Sequence, residues 1–203
     1  MKKNRISKNW IINQHRDPYF KEAKHSGLRS RSAFKLLELN EKFKFFNNCK
    51  AIIDLGSYPG GWSQIIKKNI KNCKILSVDI KKMDKIDGVD FLCCDFQKQD
   101  SKEKILKTLG SKADVIVSDM AVNTTGVKNL DSIQTGELCK EAMIFSKDVI
   151  SSDGFFISKL FMGSSFNEIV ALGKKIFKEV KVFKPQSSRK ESKESFIVCK
   201  NLR

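Results

Sequence analysis

Short apolar runs rich in isoleucine, valine and phenylalanine recur from residue 50 onward: AIIDLG, KILSVDI, VDFLCCD, DVIVSDM, GFFISKLF, VKVFKP and SFIVCK. Runs of this length, bounded by glycine, proline or charged turns, read as buried strands. Stretches with helical spacing of apolar residues separate most of them. That alternation predicts a doubly wound α/β fold with a seven-stranded, mostly parallel sheet. The last two runs are joined by the polar link QSSRKESKE instead of a helix, so they are expected to pair antiparallel at one edge.

Residues 1–48 have a different pattern. They are polar and basic, with Phe34, Leu37 and Phe45 at helical spacing among many cations. The expectation is a basic helical extension over 1–48 and a main domain over 49–203. Phe34, Phe43, Phe45 and Phe46 are expected to be packing residues, because no strand motif for stacking bases surrounds them.

Charge sharpens the picture. Thirty-nine lysines and arginines face 23 acids, giving a formal net charge of +16 and a pI near 9.6. Clustered cations gain free energy by displacing counterions from phosphates, so a nucleic acid is the expected partner. Six cysteines form no C-x-x-C pair and no Cys/His ligand spacing, so no metal site is expected. They fit reduced thiols, and the apolar WII near the start is too short for a signal core or membrane span. A cytoplasmic monomer is the expectation.

The stretch DLGSYPGGWSQ, residues 54–64, follows the first strand with three glycines. Such a turn lets a ligand lie against the backbone, and the helix that follows offers N–H donors. The spacing D-x-G-x-x-x-G differs from the G-x-G-x-x-G of dinucleotide folds, so a nucleoside without phosphates fits better. Ligands of open α/β sheets bind at the carboxyl ends of strands. Aspartates close four of the predicted strands there: Asp54, Asp79, Asp95 and Asp119. Asp79 suits a ribose diol. Lys159, inside FFISKLF, is a cation in an apolar strand and needs a partner; Asp119 is the natural one.

Taken together, GLRSRSAFKL, DLGSYPGGWSQ, GVDFLCCDF, SDMAVNTTG, FFISKLFMG and KPQSSRKESKESFIV resemble, in order, the FtsJ/RrmJ family of S-adenosylmethionine-dependent ribosomal RNA 2'-O-ribose methyltransferases. The likeness spans nearly the whole chain and implies a Rossmann-like methyltransferase fold. It implies catalytic roles for Lys35, Asp119, Lys159 and Glu194. It implies cofactor contacts from Asp54, Gly56, Gly60, Gly61, Trp62, Asp79, Asp95 and Asp119, with Asp95 accepting from the adenine amino group. The implied cofactor is S-adenosyl-L-methionine, and the implied substrate is a uridine in the A-loop of 23S ribosomal RNA, in the large ribosomal subunit. Departures from the family pattern are Val122 for a common proline, Ser57 and Tyr58 where small residues are usual, and Phe196 for a frequent tyrosine.

Phosphate contacts are expected from Arg29, Arg31, Arg189 and Lys190, and from Lys2, Lys3, Arg5, Lys8, Arg16, Lys21 and Lys24. Other readings remain open at this point: methylation of another RNA such as tRNA, a nicotinamide-dependent enzyme on the same sheet, or a noncatalytic RNA-binding module. The missing G-x-G-x-x-G speaks against the second, and the pairing of Lys159 with Asp119 against the third.

Overall fold

The protein is described here by a computed structural model. It describes residues 16–121 and 128–203, with the side chains of residues 128 and 129 left out. Lys2, Lys3, Arg5, Lys8 and Val122 lie outside the described residues.

Seven strands form one sheet: β1 (Ala51–Leu55), β2 (Lys74–Asp79), β3 (Asp90–Cys93), β4 (Ala113–Ser118), β5 (Ile150–Phe161), β6 (Phe177–Phe183) and β7 (Glu194–Leu202). Their spatial order is β3-β2-β1-β4-β5-β7-β6. The strands from β3 across to β5 run parallel, while β7 is antiparallel to both β5 and β6. The antiparallel pair therefore lies at the edge predicted from its short polar link, with β7 as its inner strand. The order reverses between β1 and β4, the switch point where a doubly wound sheet opens a crevice.

Among the described residues six helices flank the sheet: α1 (Pro18–His25), α2 (Ser32–Phe43), α3 (Gly61–Asn69), α4 (Ser101–Leu109), α5 (Lys128–Val149) and α6 (Phe166–Ile176). Strand periodicity sorts the core into two faces. Ile53, Leu55, Leu76, Val78, Ile116, Phe156 and Leu160 pack with α4, α5 and α6. Ile52, Ile75, Val115, Val117, Ile157, Phe196 and Val198 pack with α2 and α3. Lys159 has the parity of Ile157, and Glu194 that of Phe196, so both share the α2 face. The register pairs Lys159 with Phe196 and Phe161 with Glu194.

Helix α2 turns differently from its sequence reading. Its fully buried stripe is Ala33, Leu36 and Leu39, whereas Phe34 is only half-buried and packs on Tyr19. Small and aliphatic residues at that spacing let the helix approach the sheet closely, and truncating Leu36 or Leu39 to alanine would cost about 2–5 kcal/mol. The helix stops at Lys44, which is left-handed with φ 57°. Its N–H donates to Asn40 O at 2.7 Å, and Asn40 Oδ1 accepts from Phe46 N at 2.9 Å. That turn delivers Phe45 and Phe46 into the core as expected. β5 begins earlier than the FFISKLF pattern indicates, because α5 runs directly into it. A register shift then separates the Ala113–Ile150 and Val115–Phe155 pairs.

Candidate active site

The crevice at the switch point is a cleft of about 510 Å³. Asp79, Asp95 and Asp119 line it together with apolar Val78, Ile80, Phe96 and Met120. Asp79 ends β2, and its carboxylate braces two turns: Oδ2 accepts from Tyr58 N at 2.9 Å and Oδ1 from Lys81 N at 2.8 Å. Each oxygen retains acceptor capacity after one such bond. Asp95 lies two residues past β3, and its Oδ1 accepts from Gln97 N at 3.1 Å.

The glycine turn behaves differently from the expectation that its missing Cβ atoms face a ligand. Gly56 has φ +72°, and a Cβ there would collide with the Met120 side chain. At Gly60 and Gly61 a Cβ would press into Arg29 and Ser30, respectively. All three spaces are filled by side chains of this chain, and only Gly56 lines the cleft.

Beside the cleft stands a buried cluster of four charges. Lys159 Nζ lies 3.0 Å from Asp119 Oδ1 and donates to the Asp119 carbonyl at 2.7 Å. Lys35 Nζ lies 2.8 Å from both carboxylate oxygens of Glu194 and 3.9 Å from Asp119 Oδ1. Side-chain exposures are 8% for Lys159, 11% for Lys35, 12% for Glu194 and 18% for Asp119, so the pairs are desolvated and their partners are mandatory. Burial pulls the Lys35 ammonium down, but Asp119 and Glu194 outweigh it and hold its pKa above the usual lysine value. Burial pushes Glu194 up, and Lys35 and Lys159 more than reverse that, leaving it below the usual glutamate value. The Phe196 ring lies 5.9 Å from Lys35 Nζ, an apolar support with no hydroxyl.

Asp54 and Trp62 stand behind these two groups. Asp54 is 1% exposed and accepts from Ser63 Oγ at 2.6 Å, and Ser63 Oγ also meets Ser77 Oγ at 2.6 Å. Burial pushes the Asp54 carboxyl up to about 7; the Ser63 hydrogen bond opposes this, while Asp119 and Asp79 add to it. Trp62 packs on Phe196 with ring centroids 5.8 Å apart, and its indole N–H donates to Ser32 O at 2.8 Å. Its contacts are those of a core residue that seats α3 against α2.

The cations chosen for phosphates divide. Arg29 donates to the carbonyls of Pro59 at 3.1 Å, Asp84 at 2.8 Å and Lys85 at 2.8 Å, clamping two loops at the cleft. Arg31 pairs with Asp17 and donates to the Ser187 carbonyl. Arg16, Lys21, Lys24, Arg189 and Lys190 are exposed. Sequence reasoning missed Met120, which lines the cleft, Ser188, whose hydroxyl donates to Glu194, and Glu38, whose carboxylate accepts from the N–H groups of Gln186 and Ser187; Glu38 carried a signal, since it falls three residues after Lys35 on a helix.

The sheet order, the carboxylate-lined cleft and the antiparallel hairpin together define a Rossmann-like methyltransferase. A profile of FtsJ-like methyltransferases matches residues 28–202. The chain is 59% identical over 203 residues to the Ribosomal RNA large subunit methyltransferase E of Pelagibacter ubique (strain HTCC1062), covering 100% of both chains. It is 47% identical over 201 residues to the enzyme of that name from Rickettsia akari (strain Hartford), covering 96% of this chain and 88% of that one. A crystal structure of a ribosomal RNA methyltransferase from Plasmodium falciparum superposes with a TM-score of 0.77 at 36% identity, over 86% of this chain and 98% of that one. The chain belongs to the FtsJ-like methyltransferase family.

Proposed function

We propose that this enzyme methylates a ribose 2'-hydroxyl of large-subunit ribosomal RNA, at a uridine of the A-loop, with S-adenosylmethionine as methyl donor. The observation that carries the reading is the double membership of Asp119: it lines the cleft and also pairs with Lys159 in the buried cluster. A site for a small ligand thus abuts a site that can handle a proton. The names of the relatives support ribosomal RNA as the substrate, and the net charge of +16 supports a polyanion.

The cleft residues fit the cofactor. Asp79 has acceptor capacity to hold a ribose diol, Asp95 could accept from the adenine amino group, and apolar Ile80 and Phe96 suit a purine face. Gly56 would bring backbone close to the ligand, while the Gly60–Gly61 turn, packed against Arg29 and Ser30, would hold that segment in place with Asp54 and Trp62 behind it. When bound, S-adenosylmethionine supplies an electrophilic methyl group on a sulfonium.

The chain's own residues do the rest. Asp119 orients the Lys159 amine through two contacts, and Lys159, once deprotonated, takes the proton of the attacking hydroxyl. Lys35 remains an ammonium held by Glu194, so it positions ribose or phosphate oxygens. Burial of all four groups keeps water from competing. Lys190, Lys21 and Lys24, with the exposed Arg189 whose Nε lies 3.7 Å from Asp17 Oδ2, grip phosphates; the terminal guanidinium nitrogens of Arg29 and Arg31 donate within the chain. In this division residues 1–48 serve the RNA and residues 49–203 the chemistry, except that Lys35 joins the chemistry and Arg189 and Lys190 join the RNA contact.

The test is transfer of labelled methyl from S-adenosylmethionine to large ribosomal particles lacking the modification, followed by nuclease mapping. Label on a ribose of the A-loop supports the reading. Label on a base, or on another RNA in preference, overturns it.

A further inference from the structure

The link between β6 and β7, residues 184–193, is fastened to α2 at two successive levels. Glu38 falls three residues after Lys35, so both side chains leave the helix on one face. Glu38 Oε1 accepts from the Ser187 N–H at 2.9 Å, and Oε2 accepts from the N–H of Gln186. Ser187 and Ser188 are buried, at 0% and 5% exposure, so the backbone of this turn depends on protein acceptors. Ser188 Oγ then donates to Glu194 Oε1 at 2.7 Å, and Glu194 receives Lys35 at 2.8 Å. On the other side, Arg31 donates to the Ser187 carbonyl while pairing with Asp17.

One ionised carboxylate on two consecutive N–H groups is a charge-assisted clamp with fixed direction. Both of these bonds leave α2 for the link. We propose that Glu38 is a positioning residue for methyl transfer: by gripping the 186–187 backbone it places Ser188, which aims Glu194 at Lys35. This rests on the reading of Lys35 and Glu194 as part of the reacting site. Glu38 acts through the turn and is not itself a catalytic residue.

The consequence reaches the charge of Lys35. The charged groups facing that ammonium are Asp119 and Glu194, which raise its hold on a proton, and Arg31, which with burial lowers it. Glu194 in turn faces Lys35, Lys159 and the Ser188 hydroxyl. A loosened turn lets Glu194 drift, and the opposing influences then act on Lys35 with less resistance. The alkaline limb of the rate should move to lower pH, a change that a merely structural role would not produce.

The experiment compares Glu38→Gln, Glu194→Gln and the double variant in single-turnover methyl transfer, with S-adenosylmethionine and ribosomal particles saturating. Glutamine keeps the volume but turns one acceptor into a donor facing an N–H. Glu38→Gln should lose about tenfold in rate, the scale of one charge-assisted hydrogen bond, with unchanged cofactor affinity and a lowered alkaline limb. The double variant should be no slower than Glu194→Gln alone, because residues acting in series are not additive. A wild-type rate for Glu38→Gln, or losses that multiply in the double variant, overturns the role of Glu38. A wild-type rate for Glu194→Gln instead overturns the site reading beneath it. If Glu38→Gln fails to fold, Ser188→Ala removes the last link alone and is judged by the same rate, pH limb and additivity.

Discussion

Two groups of carboxylates at the same end of the sheet meet opposite fates. On the β1–β2–β3 side, Asp79 and Asp95 accept from backbone N–H groups and Asp54 from a serine hydroxyl. Toward β5 and β7, Asp119 and Glu194 each face a buried ammonium. Residue type does not separate them. What does is whether a cation shares the volume: neutral donors leave Asp79 and Asp95 at the cleft with capacity to accept from a ligand, while a matched ammonium ties Asp119 and Glu194 into one network that meets the cleft only through Asp119. The first arrangement suits binding, and the second suits holding charges still while a proton moves.

The largest test of this contrast is Lys159→Ala. If the matched side does chemistry, single-turnover methyl transfer should fall about 10²- to 10⁴-fold. Cofactor affinity, set on the unmatched side, should change little. Lys159→Arg should fare hardly better, since guanidinium keeps its charge and cannot accept the proton. Near-wild-type turnover by Lys159→Arg would reduce the role to electrostatics and remove the general base.

Asp79→Ala tests the other side. Calorimetry should show S-adenosylmethionine binding weakened by about 1.5–3 kcal/mol, the cost of losing hydrogen bonds to a charged acceptor. The rate at saturating cofactor should be nearly preserved. An unchanged affinity would take Asp79 out of the site; a rate loss without an affinity loss would erase the division between the two groups.

The smallest effect concerns Asp54, buried with no ammonium among the described residues to match it. Its folded-state carboxyl is pushed up to about 7, above its unfolded value near 3.8. Between those values the folded state binds a proton that the unfolded state lacks. Its contribution is therefore full below the unfolded pKa, declines as pH rises, and is gone above the folded pKa. From about pH 5.5 to 6.5 the wild type should lose about 1 kcal/mol of unfolding free energy relative to Asp54→Asn in urea titrations. Parallel pH profiles for the two proteins would show that Asp54 is ionised in the fold.

Much of this was legible beforehand. The strand runs and their polar link predicted the seven-stranded sheet and its antiparallel pair. The apolar setting of Lys159 demanded an acid, and Asp119 is at 3.0 Å. Other features were not legible. Nothing local shows that the glycine turn is packed by Met120, Ser30 and Arg29, or that Arg29 spends its donors on three carbonyls. A cation count treats every arginine as available. A helical pattern cannot decide between adjacent stripes of α2 until a sheet is placed against one of them.

The sequence by itself determined which residues share a face, because strand periodicity ties Lys159 to Ile157 and Glu194 to Phe196 whatever the surroundings. It also set aspartates where strands open toward a ligand. Only the tertiary structure decided which charges meet. Lys35 and Glu194 are 159 residues apart, and their contact exists because β7 inserts between β5 and β6 while Ala33, Leu36 and Leu39 turn α2 so that Lys35 faces that insertion. The periodicity is a property of the backbone, but an ion pair depends on the distance between two chains' worth of packing, and that distance is fixed only when the core closes.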